Sequence, residues 1–171
     1  MMKSGQHEPL KNTPLSYGQQ ALWLLHKCMP GVGIYNVQFL WKIPGDIEMP
    51  LLWEALALWA KSHASISSTY KEIEGVLCQG GETRELVYKE VHLDGINDEE
   101  LIELYTKKEL CKPFDLTNEA PMRWVVYHRK SRKRVLALFV HHSCMDLWSM
   151  VTLVDQVSDI YASLKNNIHP K

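Results

Sequence analysis

Apolar residues recur along this chain with two different spacings, and the two spacings alternate from one end to the other. The first stretch carries Leu15, Gln19 and Leu22 at helical spacing. It stops at Pro30-Gly31, a pair that terminates helices. The next stretch is rich in β-branched and aromatic residues, which favour a strand. The pattern predicts helices over 16–29, 49–62, 97–111 and 147–164, and strands over 34–43, 66–73, 86–93, 122–128 and 134–141.

The resulting order of elements, α-β-α-β-β-α-β-β-α, predicts the fold class. It is α/β, a two-layer sandwich in which a mixed sheet packs against helices. The 171 residues are enough to bury a core without disulfides or a structural metal. No repeat or linker interrupts the pattern, so we expect one domain over 14–165. Residues 1–13 are expected to form a flexible tail, and 166–171 a second tail.

Composition narrows the partners of this domain. Nineteen Lys and Arg against twenty Asp and Glu give a net charge of −1, so no global field favours nucleic acid. Four cysteines without a CxxC pair suit free thiols in a reducing cytoplasm. The longest apolar stretch, Val135 to Val140, has six residues. The chain is therefore expected neither to cross a membrane nor to be secreted.

The densest group of reactive side chains is the run His141-His142-Ser143-Cys144-Met145-Asp146. It lies where an apolar strand ends and a helix begins, a common place for functional groups in α/β folds. Neighbouring residues on a strand point to opposite faces. His141 and His142 are therefore expected to have different roles.

Several interpretations of this run stay open on spacing alone. Asp146 followed by Ser149 is typical of a helix N-cap, and a buried histidine is more often a hydrogen-bonded core residue than a catalyst. A metal site made from His141, His142, Cys144 or Asp146 would require opposite strand faces to converge. Cys144 could act as a nucleophile only with a base within hydrogen-bond reach. We expect no metal site in this chain.

The same run also resembles a known family. His141-His142-x-x-x-Asp146 looks like the HHxxxD signature of condensation domains in nonribosomal peptide synthetases and of their chloramphenicol-acetyltransferase-like relatives. Three further segments resemble other motifs of this family and follow them in order and spacing. Together with the HHxxxD run, these segments span nearly all of 14–165. The segment from Leu15 to Trp23 resembles the opening motif of the family, and the segment from Lys61 to Tyr70 is similar to the second motif. The segment from Pro113 to Leu116, together with Pro121 and Arg123, resembles the PFDL segment.

The resemblance implies a thioester-dependent acyl transfer in nonribosomal peptide or hybrid polyketide–peptide biosynthesis. An acyl group on one carrier protein would be attacked by an amine, or less often a hydroxyl, on another. Acyl and peptidyl carrier proteins are thus the implied partners. No cofactor is expected to bind the chain directly, because the 4′-phosphopantetheine arms of the carrier proteins would tether the substrates.

For individual residues, the resemblance implies that His142 is catalytic and faces the reaction channel. A neutral imidazole can accept the proton of the amine or fix the amine by a hydrogen bond. His141 would be the packed, structural histidine, and Asp146 an organiser of the loop. Three further residues would lie beside the channel, namely Leu147, Trp148 and Ser149.

Two residues depart from the family pattern. The arginine of the second motif, which pairs with the HHxxxD aspartate, is replaced by Ser67, and serine cannot form that bidentate pair. We therefore expect Asp146 to find other partners, such as the backbone amides at a helix start. Leu147 stands in place of the usual glycine, which adds bulk near the channel mouth.

The length also departs from the family. The family architecture is a pseudo-dimer of two halves with the channel between them, and this chain matches the N-terminal half. We expect it to need the C-terminal condensation subdomain or neighbouring synthase domains, and a homodimer through the exposed half-interface is an alternative. A catalytically inactive module for carrier docking or assembly is the main competing function, and a stand-alone acetyltransferase trimer is a third.

Two surface features bear on the partners. The basic run at 129–134 is expected to be a solvated turn, with docking of an acidic carrier-protein helix as the alternative. The six tryptophans are expected to pack in the core or between the two halves. An exposed tryptophan face would mark the surface of the missing partner, where we expect an apolar patch.

Overall fold

Helices and strands alternate along the parts of the chain that the computed structural model describes, residues 10–93, 98–129 and 133–168. Within these residues the α-helices are α1 (Tyr17–Cys28), α2 (Met49–Ser62), α3 (Asp98–Leu110) and α4 (Leu147–Lys165). The strands are β1 (Leu10–Pro14), β2 (Asn36–Ile43), β3 (Ser68–Ile73), β4 (Val76–Thr83), β5 (Val87–His92), β6 (Met122–His128) and β7 (Arg134–His141). The predicted α/β class is confirmed.

Strands β2, β7, β6 and β5 lie in that order in a four-stranded mixed sheet. β5 runs parallel to β6, and the other neighbours are antiparallel. Helices α2 and α4 cover one face, where Trp124, Leu138 and Val140 of the sheet cluster with Trp59 and Leu153 of the helices. This is the predicted layer of helices on a sheet, and burial of each such leucine or valine contributes about 1.5–3 kcal/mol.

Helix α3 covers the opposite face of the mixed sheet. Val125, Ala137 and Phe139 are buried on this side, because successive side chains of a strand alternate between its faces. Leu101 and Ile102 of α3 pack against them. Strands β6 and β7 are therefore buried on both faces, which explains why their apolar runs show little alternation.

A second sheet, of three strands in the order β1-β4-β3, is absent from the sequence prediction. Strand β1 lies in the segment expected to be a flexible tail, and its Thr13 and Pro14 pair with Gln79 and Cys78. Residues 10–13 of the expected tail therefore belong to a strand of this sheet. Polar Lys-Asn-Thr in β1 gives no apolar alternation, so the pairing with β4 had no local signal.

The Gly80-Gly81 pair lies inside β4, where the sequence pattern predicts a break between strands. Gly80 has φ +147° and Gly81 has φ +82°, conformations that favour glycine. The register of β4 shifts between its contacts with Ser68 and Thr69. A Cβ on Gly80 would lie 2.7 Å from the carbonyl oxygen of Lys11. The glycines thus form an irregularity within a strand and allow close approach of β1.

A third apolar cluster joins α1, the three-stranded sheet and the PFDL segment. It contains Trp23, Tyr70, Phe114 and Leu116, all buried. The guanidinium of Arg123 lies 3.9 Å from the ring centroid of Phe114 and donates a hydrogen bond to the Lys112 carbonyl at 2.6 Å. This cluster holds Tyr70 beneath the end of β7.

Some sequence predictions concern residues outside the described ranges. Asn97, the predicted start of the third helix, is one of them, and residues 130–132 of the basic run are others. Residues 1–9 and 169–171 of the two predicted tails also lie outside. Across the ranges that are described, no helix has the length and apolar character needed to cross a membrane.

Candidate active site

The turn between β7 and α4 is fixed by backbone hydrogen bonds on both sides. His141 is the last residue of β7 and pairs with Asn36 of β2. Its amide donates to the Pro121 carbonyl at 2.9 Å, and the amide of His142 donates to the Tyr35 carbonyl at 2.8 Å. The two histidines are therefore presented by a backbone that is anchored at each residue.

His141 points into the protein and is 1 % exposed. Its Nδ1 lies 2.7 Å from the hydroxyl oxygen of Ser143 and accepts from the Ser143 amide at 3.3 Å. The Tyr70 hydroxyl donates to Ser143 Oγ at 3.0 Å, so the Ser143 hydroxyl can in turn donate to Nδ1. Since Nδ1 is the acceptor, the neutral imidazole of His141 carries its proton on Nε2.

Burial lowers the pKa of His141 from 6.5 to about 4, with smaller contributions from nearby His26 and His142. The rings of His26 and His141 meet edge to face, with centroids 5.2 Å apart. The pKa of His26 is also lowered, first by burial and then by the charge of Lys27. His141 is therefore neutral at physiological pH, as a packed histidine must be.

His142 faces solvent. Its Nδ1 lies 3.2 Å from the Met145 carbonyl oxygen, and because a carbonyl can only accept, Nδ1 must carry the proton. The neutral ring then keeps a lone pair on Nε2, for which the described residues provide no hydrogen-bond donor. The two histidines thus have opposite tautomers and opposite exposure, which suits different roles.

Asp146 is the N-cap of α4, as the sequence predicts. Its Oδ1 accepts from the Ser149 amide at 2.8 Å and from the Ser149 hydroxyl at 2.7 Å. These bonds lower the pKa of the Asp146 carboxyl. Ser67, at the position of the family arginine, is buried in the fold. The Asp146 carboxylate is therefore held by the start of its own helix, without a cationic partner among the described ion pairs.

Asp146→Ala is expected to lower the melting temperature because it removes the acceptor for the first-turn amide of α4. Asp146→Asn should restore most of the loss, since asparagine is an equally good N-cap. Differential scanning fluorimetry of the three proteins at neutral pH measures this. Equal melting temperatures for Asp146→Ala and the parent chain would show that the cap contributes no stability.

Two alternative chemistries for this turn are not supported by the geometry. The Cys144 thiol donates towards the Pro121 carbonyl, with sulfur and oxygen 3.7 Å apart, and burial raises its pKa to about 12. A thiol with that pKa is not a nucleophile at neutral pH. The four side chains considered as metal ligands in the turn do not converge; among the described residues, a metal-compatible group is found only on β5 and β6.

The residues predicted beside the channel lie at the first turn of α4. Leu147 is 67 % exposed and Trp148 is 79 % exposed. Ser149 is also exposed, and its hydroxyl is hydrogen-bonded to the N-cap carboxylate of α4. Trp23 and Trp59 are buried instead. Trp148 is thus a large exposed apolar side chain close to His142 in sequence and at the same end of the fold.

Two residues that support the histidines were not predicted from the sequence to have such roles. Gln19 donates from Nε2 to the Ser143 carbonyl at 3.1 Å while its Oε1 accepts from the Ser16 amide. It therefore ties the start of α1 to the turn. Tyr70 orients Ser143 from β3. Both residues lie inside segments that resemble family motifs, and this resemblance was the only sequence feature that could have indicated their supporting roles.

Comparison with known proteins identifies the family. A family model described as Condensation domain matches residues 10–171, and the chain belongs to that family. It is 27 % identical over 159 residues to the polyketide synthase PksN of Bacillus subtilis and 31 % identical over 153 residues to CymA of Salinispora arenicola, a probable non-canonical nonribosomal peptide synthetase. The alignments cover 92 % and 88 % of this chain but only 3 % and 2 % of the respective relatives.

Solved structures agree on the fold. The starter condensation domain of rhizomide synthetase RzmA superposes with a TM-score of 0.85 at 18 % identity, covering 94 % of this chain and 40 % of that one. The first condensation domain of the calcium-dependent antibiotic synthetase gives 0.85 at 16 % identity, with 94 % and 41 % covered. The chain thus spans about two-fifths of these solved chains.

Proposed function

We propose that this chain forms one half of a condensation site that joins carrier-bound substrates through an amide or ester bond, with His142 as its catalytic residue. The observation that carries the proposal is the setting of His142. Its Nδ1 is held by the Met145 carbonyl, so a lone pair on Nε2 is directed away from that contact. A side chain so oriented can accept a proton from an approaching amine.

The proposed reaction is a transfer of an acyl group from sulfur to nitrogen. The amine nitrogen forms a bond to the thioester carbonyl carbon, and the carbon–sulfur bond then breaks. The proton lost by the amine passes to Nε2 of His142 and from there to the departing thiolate. The products are an amide and a phosphopantetheine thiol, and His142 ends neutral. A hydroxyl in place of the amine would give an ester.

His141 and Asp146 have supporting roles in this proposal. His141 stays uncharged next to His142, so it does not oppose a positive charge that develops on the neighbouring ring. The network from Tyr70 through Ser143 holds the His141 ring and with it the end of β7. Asp146 orders the start of α4 and so fixes the C-terminal side of the turn.

The rest of the site is proposed to come from the part of the condensation domain that the longer relatives contain. An exposed apolar patch is consistent with this. It comprises Leu147, Trp148 and Val151, which lie within the first two turns of α4, and Tyr17 at the start of α1 is a further apolar side chain that is 92 % exposed. The starts of α1 and α4 are linked through the turn by the bond from Gln19 to Ser143. Patches of this kind usually mark an interface.

The isolated chain is expected to bind a hydrophobic dye or to form homodimers through this patch. Replacing both Leu147 and Trp148 with serine should reduce dye fluorescence and the dimer fraction, because both side chains are exposed and contribute little to folding. Light scattering and dye titration measure the two quantities. A parent chain that is a monodisperse monomer and binds no dye would contradict the interface, and Leu104→Ser on α3 is a matched exposed control.

The direct test of function is reconstitution. The chain is joined to the C-terminal subdomain of a relative and supplied with an octanoyl-loaded donor carrier protein and a glycyl-loaded acceptor carrier protein. Mass spectrometry of the acceptor carrier should show an added octanoyl group on the glycine. Four free cysteines suit assembly in a reducing cytoplasm, and reducing buffer is therefore used throughout.

Carrier docking without turnover is the second candidate function. It is favoured by the serine at position 67, which leaves Asp146 without the arginine partner of the family pattern, and by the use of the Asp146 carboxylate as the N-cap that accepts from Ser149. In the reconstitution, this alternative gives carrier binding but no condensed product. Carrier binding measured by calorimetry alongside the product assay distinguishes the two functions.

A further inference from the structure

A cluster of three metal-compatible side chains lies on the mixed sheet, on strands that the proposed condensation chemistry does not use. Strands β5 and β6 are parallel, and their register places His92 opposite His128. Glu90 precedes His92 by two residues, so both side chains project from the same face of β5. The pairing thus brings one carboxylate and two imidazoles to one place on the sheet.

The atoms of these side chains are already close together. Oε2 of Glu90 lies 2.9 Å from Nε2 of His128. The rings of His92 and His128 stack with centroids 4.5 Å apart and an angle of 15° between planes. One ligand atom from each of the three residues lies within 4.8 Å of the others. Two ligands on a tetrahedral zinc ion are about 3.4 Å apart, so small rotations of these side chains bring all three into range.

A neighbouring tryptophan orients the carboxylate. The indole N–H of Trp53, on α2, donates to Oε1 of Glu90 at 2.9 Å, which leaves Oε2 directed at His128. The Trp53 ring is itself held edge to face against Tyr88, with centroids 5.1 Å apart. Hydrogen bonds of this kind to a ligating group are typical of the outer shell of metal sites.

We propose that Glu90, His92 and His128 bind a divalent transition-metal ion of the Zn²⁺ class. Two imidazoles and one carboxylate suit zinc, nickel or copper and are a poor match for Mg²⁺ or Ca²⁺, which prefer oxygen ligands throughout. Three protein ligands leave a coordination position for water or another small ligand. The sequence pattern predicts no metal site, and this proposal departs from that expectation.

The ion would link an edge strand to the centre of the sheet. β5 is at the end of the strand order and has β6 as its only neighbour in the described sheet. A metal bound to His92 of β5 and His128 of β6 would connect the two strands near their C-terminal ends. Because only the folded chain holds the three ligands together, the ion would bind it in preference to the unfolded chain. Zn²⁺ should therefore raise the melting temperature.

Zn²⁺ titration of the tagless chain by calorimetry tests the proposal. The parent chain is expected to bind one equivalent with an affinity measurable below about 1 mM. His92→Gln and His128→Gln should each weaken binding at least about tenfold, and so should Glu90→Gln, which keeps an acceptor for Trp53 but loses the charge. Trp53→Phe, which removes only the orienting hydrogen bond, should weaken it about tenfold.

His63→Gln is the matched control, because His63 lies at the end of α2 and contacts Trp59 instead of the cluster. It should bind Zn²⁺ as the parent does. Circular dichroism without metal verifies that each variant is folded. Absence of binding to the parent chain at about 1 mM Zn²⁺ overturns the proposal, and so does binding that is unchanged in both His92→Gln and His128→Gln.

Discussion

His142→Ala should lower the rate of amide formation in the reconstituted domain by roughly 10²- to 10⁴-fold, the range typical of losing one acid–base group. The reason is that Nε2 of His142 is the proton acceptor that the turn presents to solvent, with Nδ1 engaged by Met145. The fold should be unaffected because the side chain is exposed. Initial rates from mass spectrometry of the acceptor carrier measure the change.

His142→Gln is a second informative variant. Its amide keeps polar atoms near the imidazole positions but cannot accept a proton at neutral pH. If His142 acts as a base, His142→Gln should therefore form the amide as slowly as His142→Ala does. If His142 only positions the amine by a hydrogen bond, His142→Gln should retain much of the activity. His63→Ala is a control for the loss of a histidine elsewhere. Turnover of His142→Ala at the parent rate would show that the catalytic assignment is wrong and leave carrier docking as the function.

The elements that sequence reasoning predicted well are those with strong local signals. Helix α2 and strands β6 and β7 match the predicted bounds at 49–62, 122–128 and 134–141. Their apolar runs are long, and turn residues bound them. Helix α4 was predicted for similar reasons, with Asp146 as its cap. In these segments local preference and tertiary packing favour the same structure.

The three-stranded sheet could not be predicted in the same way. Strand β1 is polar and pairs with β4, more than 60 residues further along the chain, so its stability comes from a partner that no local pattern reveals. Gly80 and Gly81 are typical of turns, and only the close approach of Lys11 explains why they lie inside a strand. Tertiary contacts determined the structure here.

In the candidate site, too, some features could be predicted from the sequence and others depend on tertiary contacts. The separate settings of His141 and His142 follow from strand alternation, and the sequence predicted a difference between them. Their tautomers follow from contacts with Ser143 and Met145, which only the folded turn provides. The cluster on β5 and β6 has no metal-ligand spacing in sequence, because two of its ligands are two residues apart and the third is 36 residues beyond His92 on a parallel strand.

The second large effect concerns the stability of the fold in acid. His141 has a pKa of about 4 in the folded chain and 6.5 when solvated. Between these pH values the unfolded chain binds a proton that the folded chain does not, so the free energy of unfolding falls as the pH is lowered through this window. Protonation linked to His141 should lower the free energy of unfolding by about 3 kcal/mol in total, of which about 2 kcal/mol is expected between pH 7 and pH 5.

The contributions of other titrating groups to the pH dependence of stability can be separated from that of His141 by the choice of pH range. The pKa values of Asp115 and Asp146 are lowered by hydrogen bonds in the fold, so their contribution to stability is present above about pH 4 and is lost as the pH falls below that value. His26, whose pKa is also lowered by burial, acts in the same direction as His141. Above pH 5, the loss of stability should therefore come chiefly from these two buried or half-buried histidines.

Urea unfolding at pH 7, 6 and 5 tests this expectation by comparing the parent chain with His141→Asn. Asparagine places an acceptor near the position of Nδ1, so Ser143 can keep a partner, but it does not titrate. The variant is expected to be less stable at pH 7 and to lose much less stability on acidification, with the remaining slope removed by adding His26→Asn. The decisive quantity is the pH slope, because a packing defect alone lowers stability equally at each pH. A slope in His141→Asn equal to that of the parent chain would show that His141 is not the buried neutral histidine that destabilises the fold in acid.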